Sequence, residues 1–179
     1  NGTYTSVEVS DNVAMIGETK YATLTDALTA ATAGQTITLA ADVNESVTIS
    51  KAVTIDGAKK TYTGAMTLKA DATIKNVNFE TATESLNFIM PNDFGTENGV
   101  ARRYSNNVTV ENCTFTATGD AAAAKSVVGV QAKSSKNLQV LNCEATGVHS
   151  LLQAQSCDED VIVKNSTVNG KNGVAFKGV

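Results

Sequence analysis

The chain has 179 residues, enough for one domain or slightly more with a sizeable core. Its net charge of −4, from 14 basic and 18 acidic residues without a basic stripe, gives no footing for a nucleic-acid partner. No run of about 18 apolar residues occurs, so no segment reads as a membrane span.

Aromatic residues are scarce and Trp is absent, so the core is expected to be built from Val, Ile, Leu and Ala. The three cysteines, Cys113, Cys143 and Cys157, lack CxxC spacing, and neither a zinc site nor a thioredoxin-like motif is expected. The chain opens on Asn1-Gly2 without Met and ends "GVAFKGV" in mid-pattern. It is expected to be a piece cut at both ends from something longer.

The first recognisable element is "YATLTDALTAATAG", where Leu24, Ala27, Leu28 and Ala31 follow helical spacing. Thr23 and Asp26 form a capping pair, and Gly34 stands where the helix is expected to stop. After it come short alternating segments: "QTITLAAD" (35–42), "AVTIDGAK" (52–59), "TIKNVNFE" (73–80), "TVENCTFT" (109–116), "QVLNCEAT" (139–146) and "IVKNSTVN" (162–169). The last four superimpose on Asn76, Asn112, Asn142 and Asn165, and Gly57 takes the same position in the copy before them. Equivalent positions lie 19, 36, 30 and 23 residues apart, so loops are expected at 80–106 and 117–136 between constant strands. Irregular repeats of this length, made of short strands, predict a solenoid.

The asparagine marks a change of phase. Val108 and Val110 point one way, and after Asn112 the inward positions become Cys113 and Phe115. A phase slip without a loop requires a sharp bend, and Asn tolerates left-handed backbone angles better than most residues. Gly57 would meet the same need at lower steric cost. Stacked coils would place the amides about 4.8 Å apart, close enough to hydrogen-bond along the stack. The inward columns are then Ile55, Ile74, Val110, Val140 and Val163; Val77, Cys113, Cys143 and Ser166; and Phe79, Phe115, Ala145 and Val168.

With these residues the chain resembles the right-handed parallel β-helix, or pectin-lyase-like, family, which uses an asparagine ladder at a two-residue turn. The resemblance runs over roughly residues 35–179 and implies an all-β solenoid. Residues 1–34 are expected to form an N-terminal strand and a short capping α-helix that covers the first coil. The segments "VAMIGETKYATL", "GQTITLAADV" and "VTISKAVTIDG" also resemble the opening of repeat modules in secreted or surface bacterial proteins.

The Asn-Cys pairs at 112–113 and 142–143 invite a disulfide or a metal, but Val77 and Ser166 share their column, which suits packing. Five N-x-S/T triplets begin at Asn1, Asn44, Asn107, Asn112 and Asn165; in a chain this rich in Ser, Thr and Asn they arise by chance. His149 is the only histidine; neighbours in a strand point to opposite faces, so it and Ser150 are not expected to act together, and a loop or surface position is expected for it. The acids of "CDED", ending at Asp160, have no acidic counterparts in the turns at 105–107 and 134–137, so they read as a solvated turn and not as a calcium site. No pair of carboxylates stands out for glycoside hydrolysis.

The segment 81–106 is the richest in unusual side chains. It reads as a flap anchored by Phe88 and Met90, or as a ligand-contacting loop in which Tyr104 or Phe94 stacks on a sugar and Arg102 or Arg103 hydrogen-bonds to it. The expectation is a non-catalytic module, extracellular or on a bacterial cell surface, contacting glycans or a host or neighbouring cell, without metal or cofactor. The alternatives are part of a polysaccharide lyase or glycoside hydrolase, and a purely structural spacer.

Overall fold

The computed structural model describes residues 12–91, 94–97, 100–103, 107–133, 135–155, 157 and 160–177. Its strands stack as six coils, each visiting three sheets in turn.

Sheet I holds Thr36–Leu39, Val53–Asp56, Ala72–Lys75, Val108–Glu111, Leu138–Leu141 and Val161–Lys164, all parallel and in register. Sheet II holds Thr61–Tyr62, Asn78–Thr81, Thr114–Ala117, Glu144–Val148 and Thr167–Gly170. Val43 extends it to the first coil through an isolated bridge to Tyr62. Sheet III holds Val47–Ile49, Met66–Leu68, Asn87–Pro91, Val128–Ala132, Ser150–Gln155 and Val174–Lys177.

The third strand of each coil was not legible as a repeat. The segments expected as insertions, 80–106 and 117–136, each contain one: Asn87–Pro91 and Val128–Ala132. The true additions are smaller. They are an antiparallel hairpin, Phe94–Glu97 with Val100–Arg103, and a helix, α2, at Gly119–Ala124.

The four asparagines make the bends between sheets I and II. Asn76, Asn112, Asn142 and Asn165 have φ of 55°, 53°, 52° and 51°. At such angles most side chains crowd the following carbonyl. Gly57 does not share the conformation. The turn there is two residues longer, and Ala58 and Lys59, at φ 46° and 64°, take the left-handed angles. Glycine is needed at 57 for space: a Cβ would lie 2.5 Å from the Asn76 carbonyl oxygen and 2.6 Å from Val77 Cγ2.

The inward columns pack the core. Val77, Cys113 and Cys143 are buried, as are Ile55, Ile74, Val110 and Val140. Phe79 and Phe115 stack with centroids 5.1 Å apart and planes 4° from parallel. Tyr62 meets Phe79 edge-on at 5.5 Å, and Phe88 of sheet III closes on both phenylalanines. Of the two expected flap anchors, Phe88 is fully buried and Met90 only half-buried. In the last coil Val163, Ser166 and Val168 are half-buried, because no further coil covers them among the described residues.

At the other end, Ala14–Ile16 and Thr19–Tyr21 form a hairpin whose first strand pairs antiparallel with Thr36–Leu39. Helix α1, Leu24–Ala30, lies beside it with Leu24 and Ala27 buried. Thr23 Oγ1 accepts from the Asp26 N–H at 2.9 Å, as the capping pair predicts. The helix ends before Gly34; Ala31 caps it, and Gly34 at φ 85° turns the chain into the first coil. One stretch of the first coil clamps both ends of the helix. Glu45 accepts from the N–H groups of Leu24 and Thr25, and Lys51 Nζ donates to the carbonyls of Leu28, Thr29 and Ala31. Each charge opposes the partial charge of the helix end it touches.

Candidate functional site

The asparagine positions are architecture. Asn165 Nδ2 donates to Asn142 Oδ1 at 3.2 Å, and Asn76 Nδ2 donates to Asp56 Oδ1 at 3.0 Å. No side-chain bond joins Asn112 to either neighbour among the described residues, so the ladder has two rungs and not one unbroken stack. Asn112 is held through its main chain: its N–H donates to the Leu141 carbonyl at 3.0 Å, and its own carbonyl accepts from Lys59 Nζ at 2.9 Å.

The cysteines fit the same account. Cys113 Sγ lies 3.2 Å from the Glu111 carbonyl oxygen, and Cys143 Sγ lies 3.3 Å from that of Leu141. None of Cys113, Cys143 and Cys157 is in a disulfide. Hydrogen bonding to the neighbouring Cys143 thiol and burial push the Cys113 thiol up, away from the thiolate that nucleophiles and metal ligands require. Among the described residues, no three His, Cys, Asp or Glu side chains gather to hold a metal.

A second column was missed. Asp71, Asn107, Asn137 and Asp160 stand at the corner where each coil enters sheet I. Asn107 donates its N–H and its Nδ2 to the Asp71 carboxylate at 2.7 and 3.0 Å, and Asn137 Nδ2 donates to Asn107 Oδ1 at 2.8 Å. Asp160 joins through its main chain, accepting from the Leu138 N–H at 2.9 Å. The expectation that Asp160 lacks an acidic counterpart therefore overlooked Asp71. The signal was present: each of these residues lies five positions before a bend asparagine, in "DATI", "NVTV", "NLQV" and "DVIV".

Beside this corner the outer face of sheet I carries a groove of about 250 Å³. Thr54, Thr73 and Thr109, partners in register, form its floor; Asp71 and Asn107 form one wall; Gly34 and Ala52 leave it open. The next outward column is charged: Lys75 Nζ lies 3.3 Å from Asp56 Oδ2, and Glu111 follows one coil on. Burial alone would raise the Asp56 carboxyl. The Asn76 amide, the Ala58 N–H and Lys75 outweigh it and hold the group below its ordinary value.

The hairpin expected to meet a ligand leaves the coil between Pro91 of sheet III and Asn107, at that same corner. Phe94 is the register partner of Arg103, and Gly95 of Arg102. Tyr104 lies outside the described residues.

His149 sits in a bend between sheets II and III, the loop position expected for it, but it and Ser150 do not diverge. His149 Nδ1 lies 2.8 Å from Ser150 Oγ and 3.0 Å from Gln153 Nε2, and His149 Nε2 lies 3.2 Å from Asn172 Nδ2. The contact has the spacing of a nucleophile and its base. Ser150 is fully buried, however, so no substrate reaches its hydroxyl in this state.

Compared with known proteins, residues 19–178 match the family model described as a right-handed β-helix region. No curated protein and no solved structure matches the chain.

Proposed function

The chain belongs to the right-handed β-helix family, and from that premise we propose that it is a non-catalytic extracellular or cell-surface module that contacts glycans along the outer face of sheet I. The fold itself carries no activity; function resides in the groups displayed on it. The observation that carries the reading is the groove, with three in-register threonine hydroxyls on its floor and a carboxylate–amide pair on its wall. Hydroxyls, an amide and one carboxylate are the donors and acceptors that a polyhydroxylated chain can satisfy. Their spacing follows the coils, so an extended glycan lying across the strands meets the same group at each step. The hairpin that carries Phe94, Arg102 and Arg103 follows Pro91 and precedes Asn107 of the groove wall in the chain, which supports the reading. Tyr104 follows directly in sequence.

A glycan array tests this. Specific hits are expected, reduced in Thr73→Val and in Arg102→Ala, with an unchanged unfolding midpoint in both variants. An array without hits would overturn the glycan reading. Hits untouched by either substitution would remove the binding face from this corner.

A further inference from the structure

Residues 171–173 form the turn from sheet II into the last strand of sheet III. Asn172 and Gly173 are both exposed. Asn172 Nδ2 lies 3.2 Å from His149 Nε2, and the Asn172 N–H donates to the His149 carbonyl at 2.7 Å. Asn172 is therefore held by side chain and main chain against one residue of the preceding coil. Gly173 has no steric reason to be glycine among the described residues: a Cβ there would meet none of them within 4 Å, and its backbone is not left-handed. What glycine does supply at 173 is an unhindered backbone nitrogen directly after an asparagine side chain.

We propose that Asn172–Gly173 is a self-modification site, where the side-chain amide becomes a carboxylate through a cyclic imide with His149 holding the amide in place. The Gly173 nitrogen, losing its proton to water, attacks Asn172 Cγ. A new C–N bond forms and the Cγ–Nδ2 bond breaks. Nδ2 leaves as ammonia with a proton from water, while His149 Nε2 accepts an N–H of the amide and fixes its position. Water then opens the imide at either carbonyl, giving aspartate or its iso-linked isomer. The net change is ammonia out and water in, with no oxidant or cofactor. Ser150 Oγ, 2.8 Å from Nδ1, keeps the ring aimed at the amide. The iso-linked product lengthens the main chain. It displaces the Asn172 N–H bond to His149 and the Leu151 N–H bond to Gly173, which fix this turn to the coil before it.

The same dipeptide at Asn169–Gly170 serves as an internal control. It lies in the strand Thr167–Gly170, whose pairing with sheet II holds the main chain extended. Glycine there is a packing requirement, because a Cβ at 170 would lie 2.5 Å from the Val148 carbonyl oxygen.

The test is peptide mass mapping of the folded chain after prolonged incubation at neutral pH. A gain of one mass unit is expected on the peptide carrying Asn172, in both aspartyl and iso-aspartyl forms, with Asn169 unchanged. Gly173→Ala, which the structure accommodates, should lose most of the reaction. His149→Ala should slow it, because the amide loses the acceptor that positions it. The same incubation in urea should convert both asparagines at similar rates. Conversion of Asn172 at equal rates in folded and urea-unfolded chains would overturn the proposal, as would retention of its amide in the folded chain. Equal rates in wild type and His149→Ala would overturn the role of His149.

Discussion

Asn76 donates its side-chain amide to Asp56 of the preceding coil across 3.0 Å, so the ladder of amides begins on a carboxylate. Lys75 adds an ammonium 3.3 Å from the other oxygen. Because these contacts hold the carboxyl below its ordinary value, the unfolded chain binds the proton more readily than the folded one. The stabilisation is complete above the ordinary aspartate value and is lost as pH falls through the lowered one. Urea unfolding at neutral and at acidic pH checks this: Asp56→Asn should lose less stability on acidification than wild type. Equal losses would contradict it.

Gly57→Ala should destabilise the chain by about 1–3 kcal/mol, as expected for forcing an atom into a packed site. The clash is with the Asn76 carbonyl and Val77, one coil away, and neither is a flexible side-chain tip. Gly173→Ala, open on all sides, serves as the neutral reference. Urea midpoints of the two variants should separate clearly.

Tyr62 places its ring at the head of the aromatic stack, but its hydroxyl is buried without a hydrogen-bond partner among the described residues. Burial pushes the phenol up, so it stays neutral and contributes no charge. An unsatisfied buried hydroxyl costs about 1–3 kcal/mol. Tyr62→Phe should therefore leave thermal stability unchanged or raise it. A fall in melting temperature would show that the hydroxyl has a partner.

Cys113→Val should be mild, within about 1.5 kcal/mol as for similar-volume core exchanges, because Val77 already fills the same column. Denaturant unfolding measures it. A severe loss would mean that the thiol contact to the Glu111 carbonyl matters more than packing.

The asparagine bends were legible because their physics is local: an apolar alternation slips phase at one residue that tolerates positive φ. Asn76, Asn112, Asn142 and Asn165 all carry that signature. The strands of sheet III were not legible, because the stretch from sheet II to sheet III varies in length. In one coil it contains helix α2, and Asn87–Pro91 and Ser150–Gln155 each bury consecutive residues, which blurs alternation. Gly57 was assigned the right position for the wrong reason, since the space it leaves belongs to a neighbour 19 residues on. The Thr54–Thr73–Thr109 floor escaped notice for a similar reason. Its meaning depends on stacking across coils, and single strands give no hint of it.

Urea unfolding of Asn112→Gly beside Asn112→Ala tests most directly whether these asparagines are backbone devices. Asn112 has φ 53° and, among the described residues, no side-chain rung to its neighbours. The left-handed angle costs an alanine roughly 1–2 kcal/mol and a glycine almost nothing. Asn112→Gly should therefore stay close to wild type, and Asn112→Ala should lose about that amount. Equal destabilisation of both variants would place the role of Asn112 in its side chain and contradict the account.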